Sequence, residues 1–248
     1  MLSTRTLRRT ATRLATVAAA GALISMIGPS PAGAVIPDGT RFYTPPPDPG
    51  AVAQIAQLKA AGQRQLANQI RTMVETPQAV WVTGGSGRTL TESVRTQARR
   101  AAAKRTMPVF VAYNIPFRDC SQYSAGGATS VAEYKAWIDA FAAGIGGQPA
   151  AVMLEPDGLG IIPWYTTING NQEWCQPAEA DAATAAADRF AMLNYAVDRL
   201  TALPRTSVYL DGTHSAWLGV GDIADRLVKA GVRKADGFFL NVSNYETT

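Results

Sequence analysis

Short apolar runs that alternate with longer helical segments limit what this chain can fold into more than any other feature. Each run is rich in β-branched or aromatic residues, and several end at a proline or a glycine, as strands do. Alternation of this kind predicts a parallel sheet with right-handed crossovers, in a single α/β domain of about five β/α units. The predicted strands are Ala79–Val82, Pro108–Tyr113, Ala151–Leu154, Ser207–Leu210 and Gly237–Leu240.

Helices are predicted where apolar residues recur at helical spacing between these strands. The glycine cluster Gly84–Gly87 lacks the spacing and the lysine of a phosphate loop, so we interpret it as a turn. Gly62 marks a break in the first helical segment. The predicted helical segments are Ala51–Met73, Thr91–Lys104, Val131–Ala143, Ala178–Leu200 and Gly221–Lys229.

The first 34 residues have the pattern of a secretory signal peptide. A basic stretch precedes the apolar run Ala15–Ile27, and Ala32-Gly33-Ala34 forms an A-x-A cleavage site. We therefore expect an extracellular protein, cleaved near Ala34. An N-terminal anchor is the alternative, although the apolar run is short for a stable membrane span. The basic residues are Arg5, Arg8, Arg9 and Arg13.

The net charge of +4 comes entirely from those four arginines. Without the leader the chain is nearly neutral, so its composition gives no reason to expect nucleic acid or an anionic membrane as a partner. We expect a monomer that does not insert stably into membranes.

Cys120 and Cys175 are the only cysteines in the sequence. In an exported chain such a pair favours a disulfide over a metal site. A bond between them would be worth roughly 4 kcal/mol in the chain-entropy model. His214 is the only histidine, which leaves too few soft ligands for zinc. We expect neither a metal nor a cofactor.

Acidic residues follow three successive strands: Asp119, Asp157 and Asp211. The ends of parallel strands meet at one edge of a sheet, and neighbouring strands lie about 4.8 Å apart, so these acids can stand roughly 5–10 Å from one another. Carboxylates at such separations suit the hydrolysis of a glycosidic bond. Asp157 is the preferred general acid, because Pro156, Leu159 and a neighbouring carboxylate should raise its pKa.

Aromatic residues accompany these acids at the strand ends and in the loops that follow. A Trp or Tyr ring offers a broad flat surface with one polar group, which suits the face of a sugar. For any one of them, packing in the core is the simpler interpretation, whereas five together favour a binding surface. They are Trp81, Tyr113, Trp164, Trp174 and Trp217.

Four blocks of sequence resemble those of glycoside hydrolase family 6, the inverting cellulases. They are Tyr113–Cys120 (YNIPFRDC), Leu154–Asp157 (LEPD), Tyr209–Trp217 (YLDGTHSAW) and Asn241–Tyr245 (NVSNY). The resemblance implies a distorted, incomplete TIM-like barrel over residues 35–248. It also implies a β-1,4-glucan or cello-oligosaccharide substrate, with endo action more expected than exo action.

The same resemblance implies roles for individual residues. Asp157 would be the general acid, and Asp119 would keep it protonated and take part in the proton path to water. Tyr113 would press on the distorted sugar, and Asp211 would be a supporting carboxylate. Cys120 and Cys175 would form the first disulfide of the family. The residues expected to line subsites are Trp81, His214, Trp217 and Asn241.

The sequence stops at Thr248, where members of the family continue with further strands and a Lys/Glu/Asp block. We therefore expect the chain to be poorly stable and weakly active or inactive. A remnant that binds glucan without cutting it is the alternative function. An unrelated secreted ester hydrolase is a weaker one, because the sequence has no G-x-S-x-G elbow.

Overall fold

The computed structural model describes residues 36–242 together with 246 and 247, all within one compact unit. The predicted signal peptide, residues 1–34, lies outside the described residues. So do Ser243–Tyr245 of the fourth sequence block.

Five parallel strands form one sheet in the order β1-β2-β3-β4-β5, which is also their order in the chain. Trp81, Val111, Met153, Tyr209 and Gly237 pair in register across it. All five predicted strands are confirmed, with ends that differ by at most one residue. The strands are β1 Val80–Val82, β2 Val109–Ala112, β3 Ala150–Leu154, β4 Thr206–Asp211 and β5 Gly237–Phe239.

Helices connect each strand to the next. The predicted break in the first helical segment is confirmed at Gly62, which has a φ of +74°. Two short 3-10 helices cover Arg118–Ser121 and Val232–Lys234. The α-helices are α1 Pro49–Ala60, α2 Arg64–Glu75, α3 Gly87–Ala103, α4 Val131–Ile145, α5 Ala185–Thr201 and α6 Val220–Lys229.

Helix α5 begins at Ala185, whereas the sequence prediction placed its start at Ala178. The Asp181 side chain accepts a hydrogen bond from the Ala183 N–H (2.9 Å), and its carbonyl accepts from the Thr184 N–H. Side-chain bonds of this kind compete with helical backbone pairing. The segment before Ala185 therefore forms turns in spite of its many alanines.

The main core lies between one face of the sheet and the helices. Phe110, Val152 and Val208 belong to this core, whereas the alternate residues Met153 and Tyr209 are only partly buried. Sequential strand order accounts for such an arrangement, because crossovers of one hand between neighbouring parallel strands place the connecting helices on one face. This parallel α/β topology confirms the predicted fold class.

Helices α3 and α4 pack very closely. A Cβ atom on Gly144 would lie 2.6 Å from the Cβ of Val94, so this contact requires glycine. No helix in the described part of the chain is long and apolar enough to cross a membrane. The carboxyl ends of β1–β5 meet at one edge of the sheet, which we call the rim. Asp119, Asp157 and Asp211 all lie at or just beyond it.

Candidate active site

The rim concentrates backbone strain. Of the non-glycine residues with positive φ in the described ranges, only Arg105 lies away from it. Such conformations cost of order 1–3 kcal/mol each and persist where the surroundings enforce them, commonly at functional sites. The others follow strands β2 to β5, and they are Phe117, Asp119, Cys120, Ser121, Glu155, Asp157, Trp164, Thr213 and Asn241.

Asp157 lies three residues beyond the end of β3 and is held by its backbone. Its φ is +62°. Its N–H donates to Oδ2 of Asp211 (2.5 Å), and its carbonyl accepts from the N–H of Ile161 (2.8 Å). The residue is partly exposed, between the buried residues Pro156 and Gly158. Asp157 is thus a partly exposed acidic residue with a fixed backbone.

Asp211 ends β4 and is 4% exposed. Its carboxylate accepts the N–H of Asp157 and, through Oδ1, the N–H of Thr213 (2.9 Å). Burial raises the pKa of Asp211 to about 7, with a smaller contribution from the charge of Asp157, while the two N–H donors oppose the rise. Asp211 therefore fixes the backbone of Asp157 and can change charge near neutral pH.

Tyr113 is a tyrosine whose phenol is affected by the charges of both Asp157 and Asp119. Its ring meets the ring of Trp81 edge-on, with the centroids 5.7 Å apart. Burial raises the pKa of Tyr113 to about 12, and the charges of Asp157 and Asp119 both add to the rise. Both carboxyl groups therefore raise the pKa of the same phenol. Asp119 also accepts the Ser124 N–H (2.8 Å).

Arg118 ties the exits of β1 and β2 together, a role that sequence reasoning did not assign. Nη1 donates to the carbonyls of Tyr113 (2.7 Å) and Thr83 (3.2 Å), and Nε donates to that of Ser124 (2.6 Å). Its guanidinium lies 4.5 Å from the centroid of the Tyr113 ring. Its place in the YNIPFRDC block was the signal that could have pointed to it.

Glu155 and Asp157 lie two residues apart but face different surroundings. Glu155 is 1% exposed. Its carboxylate accepts the N–H groups of Asn114 (2.9 Å) and Ile115 (3.0 Å), which follow β2. Burial raises the pKa of Glu155 to about 7, while the two N–H donors oppose the rise. Glu155 joins the exits of β2 and β3 and is closed to substrate.

Two buried arginines, which sequence reasoning missed, also contact the loop after β3. Arg189 on α5 and Arg226 on α6 are 2% and 0% exposed. Nη1 of Arg226 donates to the carbonyl of Leu159 (2.8 Å), and Nη2 contacts Asp222 (2.7 Å). The signal was present for Arg189, because it precedes Met192 and Leu193 at helical spacing on the apolar face of α5.

The aromatic residues predicted to form a binding surface differ in how exposed they are. Trp81 and Trp174 are 45% and 53% exposed. Trp217 packs on Gly160, where a Cβ would come within 2.6 Å of the indole, and its ring lies 5.6 Å from that of His214. Trp164 is partly buried, and its indole N–H donates to the Pro177 carbonyl (3.1 Å). Trp164 is therefore a packing residue and Tyr113 is buried at 7% exposure, whereas Trp81, Trp174 and Trp217 keep surface that a ligand can reach.

Polar atoms beside Asp211 lack partners. Asn241 follows β5, and its N–H donates to the carbonyl of Thr213 (3.0 Å). Its Oδ1 atom and Oγ1 of Thr213 are buried without a hydrogen-bond partner among the described residues. Buried polar atoms are normally paired, so these two are exceptions among the described residues next to Asp211.

Cys120 and Cys175 form a disulfide with Cα atoms 5.7 Å apart, which confirms that prediction. The bond joins the loop after β2 to the long loop after β3.

No group of three or more His, Cys, Asp or Glu side chains in the described ranges could hold a metal ion. A separate cleft of about 830 Å³ lies at the opposite end of the sheet. Arg41, Arg105 and Arg205 line it, and none of the predicted site residues does.

Comparison with known proteins adds to this geometry. The family model described as glycosyl hydrolases family 6 matches residues 37–248. Endoglucanase 1 from Streptomyces sp. (strain KSM-9) is 41% identical over 175 residues, which cover 69% of this chain and 44% of that protein. Endoglucanase 1 from Streptomyces halstedii is 37% identical over 211 residues, or 84% of this chain and 60% of that protein.

A solved structure is similar as well. The endoglucanase Cel6 from Mycobacterium tuberculosis, in complex with methyl-cellobiosyl-4-deoxy-4-thio-β-D-cellobioside, matches with a TM-score of 0.70 and 33% identity. The match covers 85% of this chain and 65% of that one. The chain thus spans about half to two thirds of the length of these relatives. From the family match and the shared fold, we conclude that this chain belongs to glycosyl hydrolases family 6.

Proposed function

We propose that this chain hydrolyses β-1,4-glucosidic bonds of cellulose or a related β-glucan with inversion, with Asp157 as the general acid. The observation that carries the proposal is the placement of Asp157. It stands partly exposed at the rim, with its backbone fixed by Asp211 and its charge acting on Tyr113. The relatives from two Streptomyces species are named endoglucanases, which favours endo action.

In the proposed reaction, Asp157 gives its proton to the glycosidic oxygen as the bond breaks. Positive charge then develops on the sugar ring, and water attacks the ring from the opposite face. The attacking water gives up a proton, and Asp119, whose charge also acts on Tyr113, takes part in the path of that proton and supports the protonated state of Asp157. Asp211 is a supporting carboxylate. Acid and base catalysis of this kind requires only carboxyl groups.

The substrate is proposed to lie along the rim. Trp81, Trp217 and His214 offer ring faces there, and Asn241 follows β5 at the same edge of the sheet. Tyr113 would press on the sugar bound next to Asp157. The Mycobacterium tuberculosis structure holds a cellobioside-based ligand, which supports a cello-oligosaccharide as the ligand of this chain.

We also propose that residues 1–34 are a signal peptide and that residues 35–248 form the secreted catalytic domain. The basic stretch, the apolar run and the Ala-Gly-Ala site support this division. The disulfide between Cys120 and Cys175 fits an oxidising compartment. The secreted protein is proposed to act as a monomer.

The test measures hydrolysis of cello-oligosaccharides by the purified chain and follows the newly formed anomers by NMR. We expect α-anomers as the first products, and Asp157→Asn should lower kcat about 10²–10⁴-fold, the usual contribution of a general acid. A variant that keeps its kcat, or first products that are β-anomers, would contradict the proposal.

Binding of glucan without hydrolysis is a second candidate, favoured by the exposed rings of Trp81 and Trp174. Calorimetry with cello-oligosaccharides separates the two functions when turnover is measured in the same samples. Binding that Trp81→Ala weakens, in a chain with no turnover, would favour the second candidate.

A further inference from the structure

The guanidinium of Arg189 contacts the backbone that follows the proposed general acid and the backbone of the neighbouring loop after β2. Nη1 donates to the carbonyls of Gly158 (2.7 Å) and Ile161 (2.8 Å), which follow Asp157. Nη2 donates to the carbonyl of Pro116 (2.8 Å), in the loop after β2. One buried side chain on α5 therefore holds two adjacent loops of the rim.

Glu155 holds the same two loops with opposite polarity. It precedes Asp157 by two residues and accepts backbone N–H groups of the loop after β2. Glu155 and Arg189 are both almost fully buried, and their charges interact without a direct hydrogen bond between them. Each charge reduces the electrostatic cost of burying the other, and each satisfies backbone groups that have no strand partner.

This support is needed because the loop is strained. Glu155 and Asp157 have φ values of +50° and +62°. Left-handed backbone at such residues persists only where surrounding contacts enforce it. The hydrogen bonds of Arg189 begin one residue after Asp157, so they constrain the segment that orients its carboxyl group.

We propose that Arg189, with Glu155 as its buried counter-charge, is a positioning residue that keeps the Asp157 loop in its strained conformation and so orients the general acid. The inference depends on the role proposed above for Asp157. Arg189 is buried and would not contact the substrate. It acts through the carbonyls of Gly158 and Ile161.

A cavity of about 170 Å³ gives this idea a specific test. Arg189 lines it, together with Pro116 and Met192. If Arg189 is shortened to alanine, a guanidinium ion can enter the space that the side chain leaves and donate to the same carbonyls. Urea has nearly the same shape but no charge, so it serves as the control additive.

The experiment compares Arg189→Ala with Arg199→Ala in the full chain. Arg199 lies on the same helix but is exposed, where it pairs with Asp139. For Arg189→Ala we expect faster hydrogen exchange confined to residues 114–116 and 155–161. We also expect kcat to fall about 100-fold with KM nearly unchanged, the cost of misplacing a catalytic group. Millimolar guanidinium should restore part of kcat, and urea should not. Arg199→Ala should show none of these effects.

The inference is overturned if folded Arg189→Ala exchanges at the wild-type rate in residues 155–161, or if urea rescues kcat as well as guanidinium does. If the alanine variant does not fold, Arg189→Lys replaces it. Lysine keeps the charge but cannot reach all three carbonyls from one ammonium group, so the same exchange pattern is expected, and wild-type exchange again overturns the idea. If the wild-type chain has no turnover, the proposed function fails, and hydrogen exchange alone still decides whether Arg189 holds the loop.

Discussion

The two loops that carry the acids of the rim are built differently. The loop after β3, residues 155–163, is buried except at Asp157. Two buried arginines, Arg189 and Arg226, donate hydrogen bonds to its carbonyls. The loop after β2 is exposed from residue 121 to residue 126. It is held at its edges by Arg118 and by the Cys120–Cys175 disulfide.

This difference in burial predicts that the two loops differ in the free-energy cost of local opening. Segments with many buried contacts open only at high free-energy cost, whereas exposed segments with few contacts open easily. The proposed general acid stands on the loop with the higher cost. Asp119, which would assist it, stands on the loop with the lower cost.

The largest effect on stability is expected from Glu155→Ala. Removing Glu155 leaves Arg189 buried without its counter-charge and leaves the N–H groups of Asn114 and Ile115 unpaired. Breaking a buried charge pair in this way typically costs about 3–5 kcal/mol of unfolding free energy. Urea unfolding measures it, with Asp119→Ala on the exposed loop as the control. Equal losses of unfolding free energy in both variants would show that the two loops do not differ in their contribution to stability.

A smaller loss is expected when the disulfide is replaced by serines at Cys120 and Cys175. A bond that closes a loop of 55 residues contributes about 2–4 kcal/mol, chiefly by restricting the unfolded chain. Hydrogen exchange should quicken most in residues 117–126, because the loop after β3 keeps its arginine contacts. Faster exchange in residues 155–161 instead would show that the disulfide also supports the acid loop.

The pH dependence of stability tests the buried side of the rim. Asp211 has a pKa raised to about 7 from an ordinary value of 3.8. Between those values the folded chain binds a proton that the unfolded chain releases, so this group makes stability fall as pH rises from about 4 to 7. Asp211→Asn should flatten that fall, as measured by urea unfolding at pH 4.5 and pH 7. An unchanged difference between the two pH values would contradict the raised pKa.

The smallest effect is expected at the surface of α5. Arg199 pairs with Asp139 across 2.6 Å, but both side chains are more than 40% exposed. Exposed ion pairs contribute about 0–1 kcal/mol, and salt screens them. Arg199→Met should therefore lower the thermal midpoint only slightly. A loss of stability as large as that of Glu155→Ala would mean that burial does not explain why one charge contributes more to stability than the other.

Much of the fold was accessible from local sequence. Each strand is a short apolar run with a turn or a polar residue at its end, and these signals lie within a few residues of one another. The break at Gly62 was predictable for the same reason, whereas the Cys120–Cys175 bond was predictable because the sequence has only these two cysteines and the pattern of an exported chain. The start of α5 was not, because the Asp181 side chain competes with the helix locally.

The sequence by itself determined the order of strands, the acids that follow them and the family. Only the tertiary structure decided that Glu155 is closed off and Asp157 open, although both belong to one LEPD motif. The reason is distance along the chain. The contacts that separate them join Asp157 to a residue 54 positions away and Arg189 to one 73 positions away. Such contacts form only when the sheet brings its strand ends together.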